Sequence, residues 1–317
     1  SFTDLLPWME YIPESRAFLL EDGVSLGALF EVQPVGCEAR TPAFMTQLRD
    51  AIQTAINEAI PERDDAPWVL QIYVQDEPRL TQFNESLASY PSATVRESDY
   101  SQHYQSVMSK HLQAISRPGG LFDDTTVTGS RWQGQQRRIR VVLYRRLKNN
   151  GKAPPAVEVE EALNDVATKW IASLASAGIN AQRANGQAFY QWLLSWFNPN
   201  PPLADGNPEA LLQLAPYPGD DNLPFGYDFA EQLTLSMPRS DETTATWLFD
   251  NLPHTVVTIQ SLRRAPDIGH FTAERQAGDQ VYSLFDRLPE HTIMAITLTL
   301  KPQDTTRNHI AQIKRAA

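Results

Sequence analysis

Cysteine is almost missing from this sequence of 317 residues: Cys37 stands alone, so no internal disulfide can form, and a reducing cytoplasm is the natural setting. Positive charge is scarce as well. Lys+Arg 27 against Asp+Glu 38 gives a formal net charge of −11, which disfavours broad contact with nucleic-acid phosphates. Apolar runs fall well short of the ~18 residues a membrane span needs, and no leader of basic then apolar residues opens the sequence. No integral membrane segment is therefore expected.

Motifs are scarce too. The strings H-E-x-x-H, C-x-x-C and G-x-S-x-G do not occur, and the six histidines are scattered, so metalloprotease, zinc-finger and α/β-hydrolase readings lose their sequence support. His111 sits without a second ligand at metal spacing and reads as a core or boundary histidine. Asp220-Asp221, among prolines and glycines, reads as a solvated turn, because a hard cation wants several converging oxygens. The sequence also lacks G-x-x-x-x-G-K-[ST], the loop that wraps phosphates in backbone N–H groups; Pro118-Gly119-Gly120, with Gly129 and Gly134 downstream, reads as a plain loop. No catalytic, cofactor-binding or metal-ligating residue is assigned. There is no repeat at solenoid spacing and no heptad seam.

What is present is a globular composition, 42% hydrophobic and 9% aromatic, long enough for about two domains of ordinary size. The organising stretch is Arg16 to Val32, RAFLLEDGVSLGALFEV. Asp22-Gly23 can take the two positive φ values of a type I′ turn, which predicts a β-hairpin with Leu19 opposite Leu26 and Phe18 opposite Gly27. Both of its faces are mostly apolar, so both must be covered.

Thr41 and Pro42 predict a helix running to Ile60, with Phe44, Leu48, Ile52 and Ile56 four apart. WVLQIYV, Trp68 to Val74, is a strand ended by Asp76-Glu77-Pro78. An amphipathic helix follows with Leu80, Phe83 and Leu87, then another from about Asp99 with Tyr100, Tyr104, Val107, His111 and Ile115 on one face.

Arg137 to Lys148 (RRIRVVLYRRLK) is the next strand. Ile139, Val141, Leu143 and Leu147 share one face; Arg138, Arg140, Tyr144, Arg146 and Lys148 share the other with Val142. The second set is a basic stripe. It reads either as a solvated face paired with acidic neighbours or as a docking surface for an acidic partner.

Asn149-Asn150-Gly151 with Pro154-Pro155 marks a boundary, dividing the chain into a first lobe (1–150) and a second (151–317). In the second, Val159, Leu163, Val166, Trp170 and Leu174 predict a helix capped at Gly178. A short strand follows over residues 179–183, then a helix over 187–197. Its Trp192, Trp196 and Phe197 read as core or as anchors for a partner. Residues 198–226 hold seven prolines and read as one long loop. Strands are then expected over residues 233–237, 246–249 and 255–259, a helix over 280–288 and a last strand over 292–300, buried on at least one face. Asp304 caps a final helix. The fold class is mixed α+β: two lobes of mixed sheets flanked by helices, opening with a β-hairpin.

LLPWMEYIPESRAFLLEDGVSLGALFEVQPV, residues 5–35, resembles the opening of the TraC-type conjugative transfer ATPases of bacterial type IV secretion systems. Leu6, Pro7, Trp8, Tyr11, Glu14, Phe18, Asp22, Gly23, Gly27, Phe30 and Glu31 carry the likeness, and the alternation that follows fits the family's amino-terminal domain. The resemblance implies a hexameric motor, cytoplasmic and peripheral at the inner membrane, that uses ATP and Mg²⁺ through a RecA-like domain. That domain is expected beyond residue 317, since the sequence starts without methionine and stops inside a helical pattern.

Residues 1–317 are then expected to dock the motor on inner-membrane components and on neighbouring subunits. Arg138, Arg140, Arg146, Trp192 and Trp196 are the candidate partner-binding residues. No cofactor is expected in this part of the protein, and nucleic acid is not an expected partner. The alternatives are a self-contained enzyme with an unfamiliar site, under the proline-rich loop, and a nucleic-acid contact through the Arg138 stripe.

Overall fold

The computed structural model describes residues 2–37, 40–77, 80–117, 119, 133–147, 154–220, 228–258, 276–277, 280–281 and 292–316. The chain opens as an antiparallel meander of β1 (Trp8–Ile12), β2 (Ala17–Leu20) and β3 (Leu26–Val32). Helix α1 (Pro42–Ala59) and strand β4 (Trp68–Glu77) follow, then helices α2 (Thr81–Ser89), α3 (Ala93–Arg96) and α4 (Asp99–Ile115). Next come β5 (Gln136–Arg145), α5 (Ala156–Ser176), β6 (Ala181–Arg183), α6 (Gly186–Phe197), α7 (Pro208–Leu214) and α8 (Phe229–Gln232). Strands β7 (Arg239–Asp241), β8 (Thr246–Phe249) and β9 (Leu252–His254) form a small antiparallel sheet. The short pair β10 (Gln276–Ala277) and β11 (Gln280–Val281), strand β12 (Ile293–Leu300) and helix α9 (Gln303–Ala316) end the described chain.

The fold is mixed α+β, built on one antiparallel sheet in the order β1-β2-β3-β5-β4-β12, with β6 paired to the free end of β3 beside β2. Strands from both sides of residue 150 enter this sheet: β6 pairs with β3, and β12 pairs with β4 along its whole length. Asn149 to Gly151 lie outside the described residues.

The strands alternate between two cores because successive side chains point to opposite faces. Leu26, Ala28 and Phe30 of β3, Val141 and Leu143 of β5, and Trp68 and Leu70 of β4 face α1 and α5, where Leu163, Val166, Trp170 and Leu174 keep the expected helical spacing. Phe18 and Leu29 face the other way, into a cluster with Phe189, Leu194, Phe197 and Phe229. Burying each large apolar side chain contributes about 1.5 to 3 kcal/mol, so covering both faces of β3 accounts for its central place.

The expected hairpin register holds, with Phe18 opposite Gly27 and Leu19 opposite Leu26. The expected turn type does not. Gly23 has φ +70, but Asp22 is not among the residues with positive φ, and Leu20 and Ser25 close a four-residue loop. The physical reason is the Asp22 side chain. Its carboxylate accepts from the amides of Val24 (3.0 Å) and Ser25 (2.7 Å) and from the Ser25 hydroxyl, an arrangement that fixes the loop without a second left-handed residue. A two-residue turn with both φ positive occurs instead at Asp250-Asn251 (φ +48 and +65), between β8 and β9.

Other expectations are corrected by packing. β4 continues to Glu77 because β5 and β12 flank it on both edges. In α4 the stripe of Tyr100, Tyr104, Val107 and His111 is exposed; the packed side runs one position round, through Met108 and the buried Leu112. Residues 198–226 are not one loop: Asn207 caps α7, accepting from the Glu209 amide (2.9 Å). Residues 233–237 form no strand, since the buried Asn198 amide donates to the Leu233 carbonyl (2.8 Å) and its oxygen accepts from the Leu235 amide (3.1 Å). Those bonds tie the segment to the end of α6.

Residues 255–258 are irregular and exposed, because the tight turn brings β9 back at Leu252–His254. The start of the expected helix over 280–288 is strand β11, and residues 282–288 lie outside the described residues. Last in the sheet order, β12 packs Leu300 against the core under α1 and α5, but Ala295 to Thr299 are exposed rather than buried on one face.

Candidate functional site

The stripe on β5 is where the sequence placed a candidate surface, and β5 does put Arg138 and Arg140 on one side, across from Gln75 and Tyr73 of β4. What covers them decides their chemistry. Helix α6, whose N-cap Asn185 accepts from the Ala188 amide (2.9 Å), lays Trp192 over this side of the sheet. The Arg140 guanidinium lies 4.7 Å from the Trp192 ring centroid, and the side chain is only 8% exposed. Its Nη1 and Nη2 each donate to Glu77 Oε1 at 3.1 Å, Nη1 also reaches Gln75 Oε1 at 3.3 Å, and Glu31 stands at 4.0 Å. Trp192 Nε1 donates to the same Gln75 oxygen at 3.0 Å, and Tyr73 packs edge-on against the indole.

These contacts form a closed bracket between β4, β5 and α6. Burial pushes the Arg140 guanidinium below its usual value while Glu77 and Glu31 oppose the shift, and burial pushes the Tyr73 phenol up. Of the candidate partner-binding residues, Arg140 and Trp192 are largely buried: the guanidinium stacks on the indole while Glu77 and Gln75 accept their N–H groups. Arg138 stands 3.5 Å from the second oxygen of Glu77 with a mostly buried side chain. Arg146 is half exposed and donates to Glu21 at 2.5 Å; that bond raises its pKa, burial opposing. Trp196 is half-buried, edge-on to His254. Lys148 lies outside the described residues.

Sequence reading missed Gln75 and Glu77 as partners of the stripe. A signal existed: Tyr73, Gln75 and Glu77 keep the alternation of β4 beyond its apolar run, opposite the arginine side of β5. An open depression of about 210 Å³ lies at this end of the sheet, lined by Glu31, Gln33, Arg138, Arg140, Asn180 and Gln182 among others. Its lining is polar and carries no nucleophile paired with a base. Among the described residues no group of three His, Cys, Asp or Glu side chains could hold a metal. His111 is exposed. Asp220 accepts from the Tyr217 hydroxyl at 2.6 Å, and its neighbour Asp221 lies outside the described residues.

The fold and this bracket define a class: a mixed α+β domain whose central sheet is covered on both faces and whose arginine stripe braces the interior. Residues 2–317 match the family described as TraC protein, and the chain belongs to that family. It is accordingly a protein of conjugative transfer. No curated protein matches it.

Proposed function

We propose that this chain is the assembly and docking part of a conjugative type IV secretion ATPase, anchoring the motor to inner-membrane components and to neighbouring subunits of a hexamer. The family match over residues 2–317 carries this reading. Three further observations support it. The sequence lacks a P-loop, and where a glycine opens a long helix, at Gly186, Gln187 and Ala188 follow instead of a lysine for a phosphate. On this reading ATP and Mg²⁺ are handled by a motor domain outside residues 1–317 rather than by this chain.

No helix among the described residues is long and apolar enough to cross a membrane, which fits a reading in which protein partners hold the chain at the inner membrane. The arm of α2, α3 and α4 leaves Phe83, Tyr90, Val95, Tyr100 and Val107 exposed, apolar surface of the kind that protein partners cover. The test is competition in donor cells that carry an intact transfer apparatus. Overproducing the 317-residue chain should occupy the docking partners and lower transfer frequency; unchanged transfer with the chain present and folded overturns the proposal.

A further inference from the structure

On β5, Arg137 meets Asp76, Arg138 and Arg140 meet Glu77, and Arg145 donates to the Ala66 carbonyl; just past its end Arg146 meets Glu21. Arg183 lies on β6. Its Nη1 donates to Asn164 Oδ1 of α5 at 2.6 Å and its Nη2 to the Ser15 carbonyl at 3.1 Å, both neutral acceptors. The Nε is buried and finds no hydrogen-bond partner. Instead of an acid, a second cation stands beside it: Arg16 Nη2 donates to the Arg183 carbonyl at 3.3 Å. Arg16 holds φ +52 in the turn between β1 and β2, a left-handed conformation that an L side chain seldom adopts and that clusters at binding sites.

The residue next to it supplies an independent observation. Ser15 is only 4% exposed, and its hydroxyl also lacks a partner. Two buried donors, a guanidinium N–H and a hydroxyl, are thus left unmatched around two adjacent positive charges. Burying such donors without acceptors is costly, and a site of this make-up is completed by an oxyanion. Burial and the Arg16 charge lower Arg183 to about 10, with Tyr11 opposing, which is the response of a cation that lacks its counter-charge. Tyr11 borders the cluster from β1, its phenol hydrogen-bonded to the Arg16 side chain and within reach of the Asp220 charge, and Arg16 forms the exposed edge of the cluster while the two orphan donors lie behind it.

We propose that Ser15, Arg16 and Arg183 form a binding site for a phosphate-class oxyanion, seated between the β1–β2 turn and β6. Two guanidinium groups match the double charge of a phosphate monoester better than the single charge of a carboxylate. The alternative filling is an interior water.

The test titrates inorganic phosphate into the 317-residue chain, read by calorimetry and by thermal shift against sodium chloride of equal ionic strength. Saturable binding is expected. Arg16→Gln, at an exposed position, should keep the melting temperature without phosphate and weaken binding roughly tenfold or more, through loss of one charge-assisted contact. Ser15→Ala should weaken it less. A shift no larger than that of sodium chloride would mean that the orphan donors hold only water, and it overturns the proposal. Binding that Arg16→Gln and Ser15→Ala leave unchanged places phosphate elsewhere and overturns it equally. Vesicles of phosphatidic acid against phosphatidylcholine separate the sources: Arg16-dependent sedimentation with the former assigns a lipid headgroup, and none, beside binding of free phosphate, assigns the free anion.

Discussion

Replacing Glu77 with alanine isolates the bracket that holds α6 on the sheet. The substitution removes the acceptor of both 3.1 Å bonds from Arg140 and leaves that guanidinium, 8% exposed, with Gln75 at 3.3 Å and a distant Glu31. Taking away one partner of a buried ion pair costs about 3 to 5 kcal/mol. Glu77 is itself 22% exposed, so the lower end applies, about 3 kcal/mol, or roughly 6 °C in melting temperature for a chain of this size. Arg140→Met keeps the stem packed under Trp192 and leaves Glu77 with Arg138 and solvent, so it should cost less, about 1 to 2 kcal/mol.

The assay is equilibrium denaturation of the two variants and the wild type, at low salt and at about 1 M salt, where exposed charge pairs are screened within ~3 Å. The order Glu77→Ala worse than Arg140→Met should persist in high salt. A wild-type midpoint for Glu77→Ala, or a deficit that salt abolishes, would mean that the stripe is a solvated face and that the bracket contributes nothing.

Gly23→Val should destabilise the fold by about 1 to 3 kcal/mol through strain alone: a Cβ there meets nothing within 4 Å, but Gly23 has φ +70. A wild-type denaturation midpoint would contradict that. At Asp22, burial works against ionisation but the bonds from Ser25 and Val24 prevail and hold its carboxyl below the usual range. A folded value below the unfolded one means a contribution fully present above pH about 4 that is lost as pH falls through the folded value. Asp22→Ala should therefore flatten the acid limb of the stability profile, and equal slopes in variant and wild type would count against the loop geometry. Calorimetry with Mg-ATP should show no micromolar site, since no P-loop lysine is present; one site per chain would disclose a nucleotide pocket.

Much of the fold was legible where local chemistry and burial agree. Thr41-Pro42 starts α1 as read, with the Thr41 hydroxyl accepting from the Phe44 amide, and the hairpin register follows from apolar alternation that must bury both faces. Legibility failed where a side chain replaced a backbone partner. The Leu233 to Met237 alternation looks like a strand, but Asn198, 35 residues away from Leu233, takes up its hydrogen bonds. The stripe was legible in part: pairing with acidic neighbours was one of its two readings, but the burial of Arg140 was not. An alternating arginine reads as solvent-facing until β4 and α6 bring Glu77 and Trp192 to Arg140. Arg183 carries no local signal, because its environment is assembled from a turn 168 positions away.

Recruitment is the most direct test of the docking role. Inner membranes from donor cells with the transfer apparatus, and from matched cells without it, are mixed with the purified 317-residue chain and sedimented. The account predicts retention only on membranes that carry the apparatus, and displacement by excess chain. Equal retention on both membranes, or none on either by a chain with a normal melting curve, would contradict it.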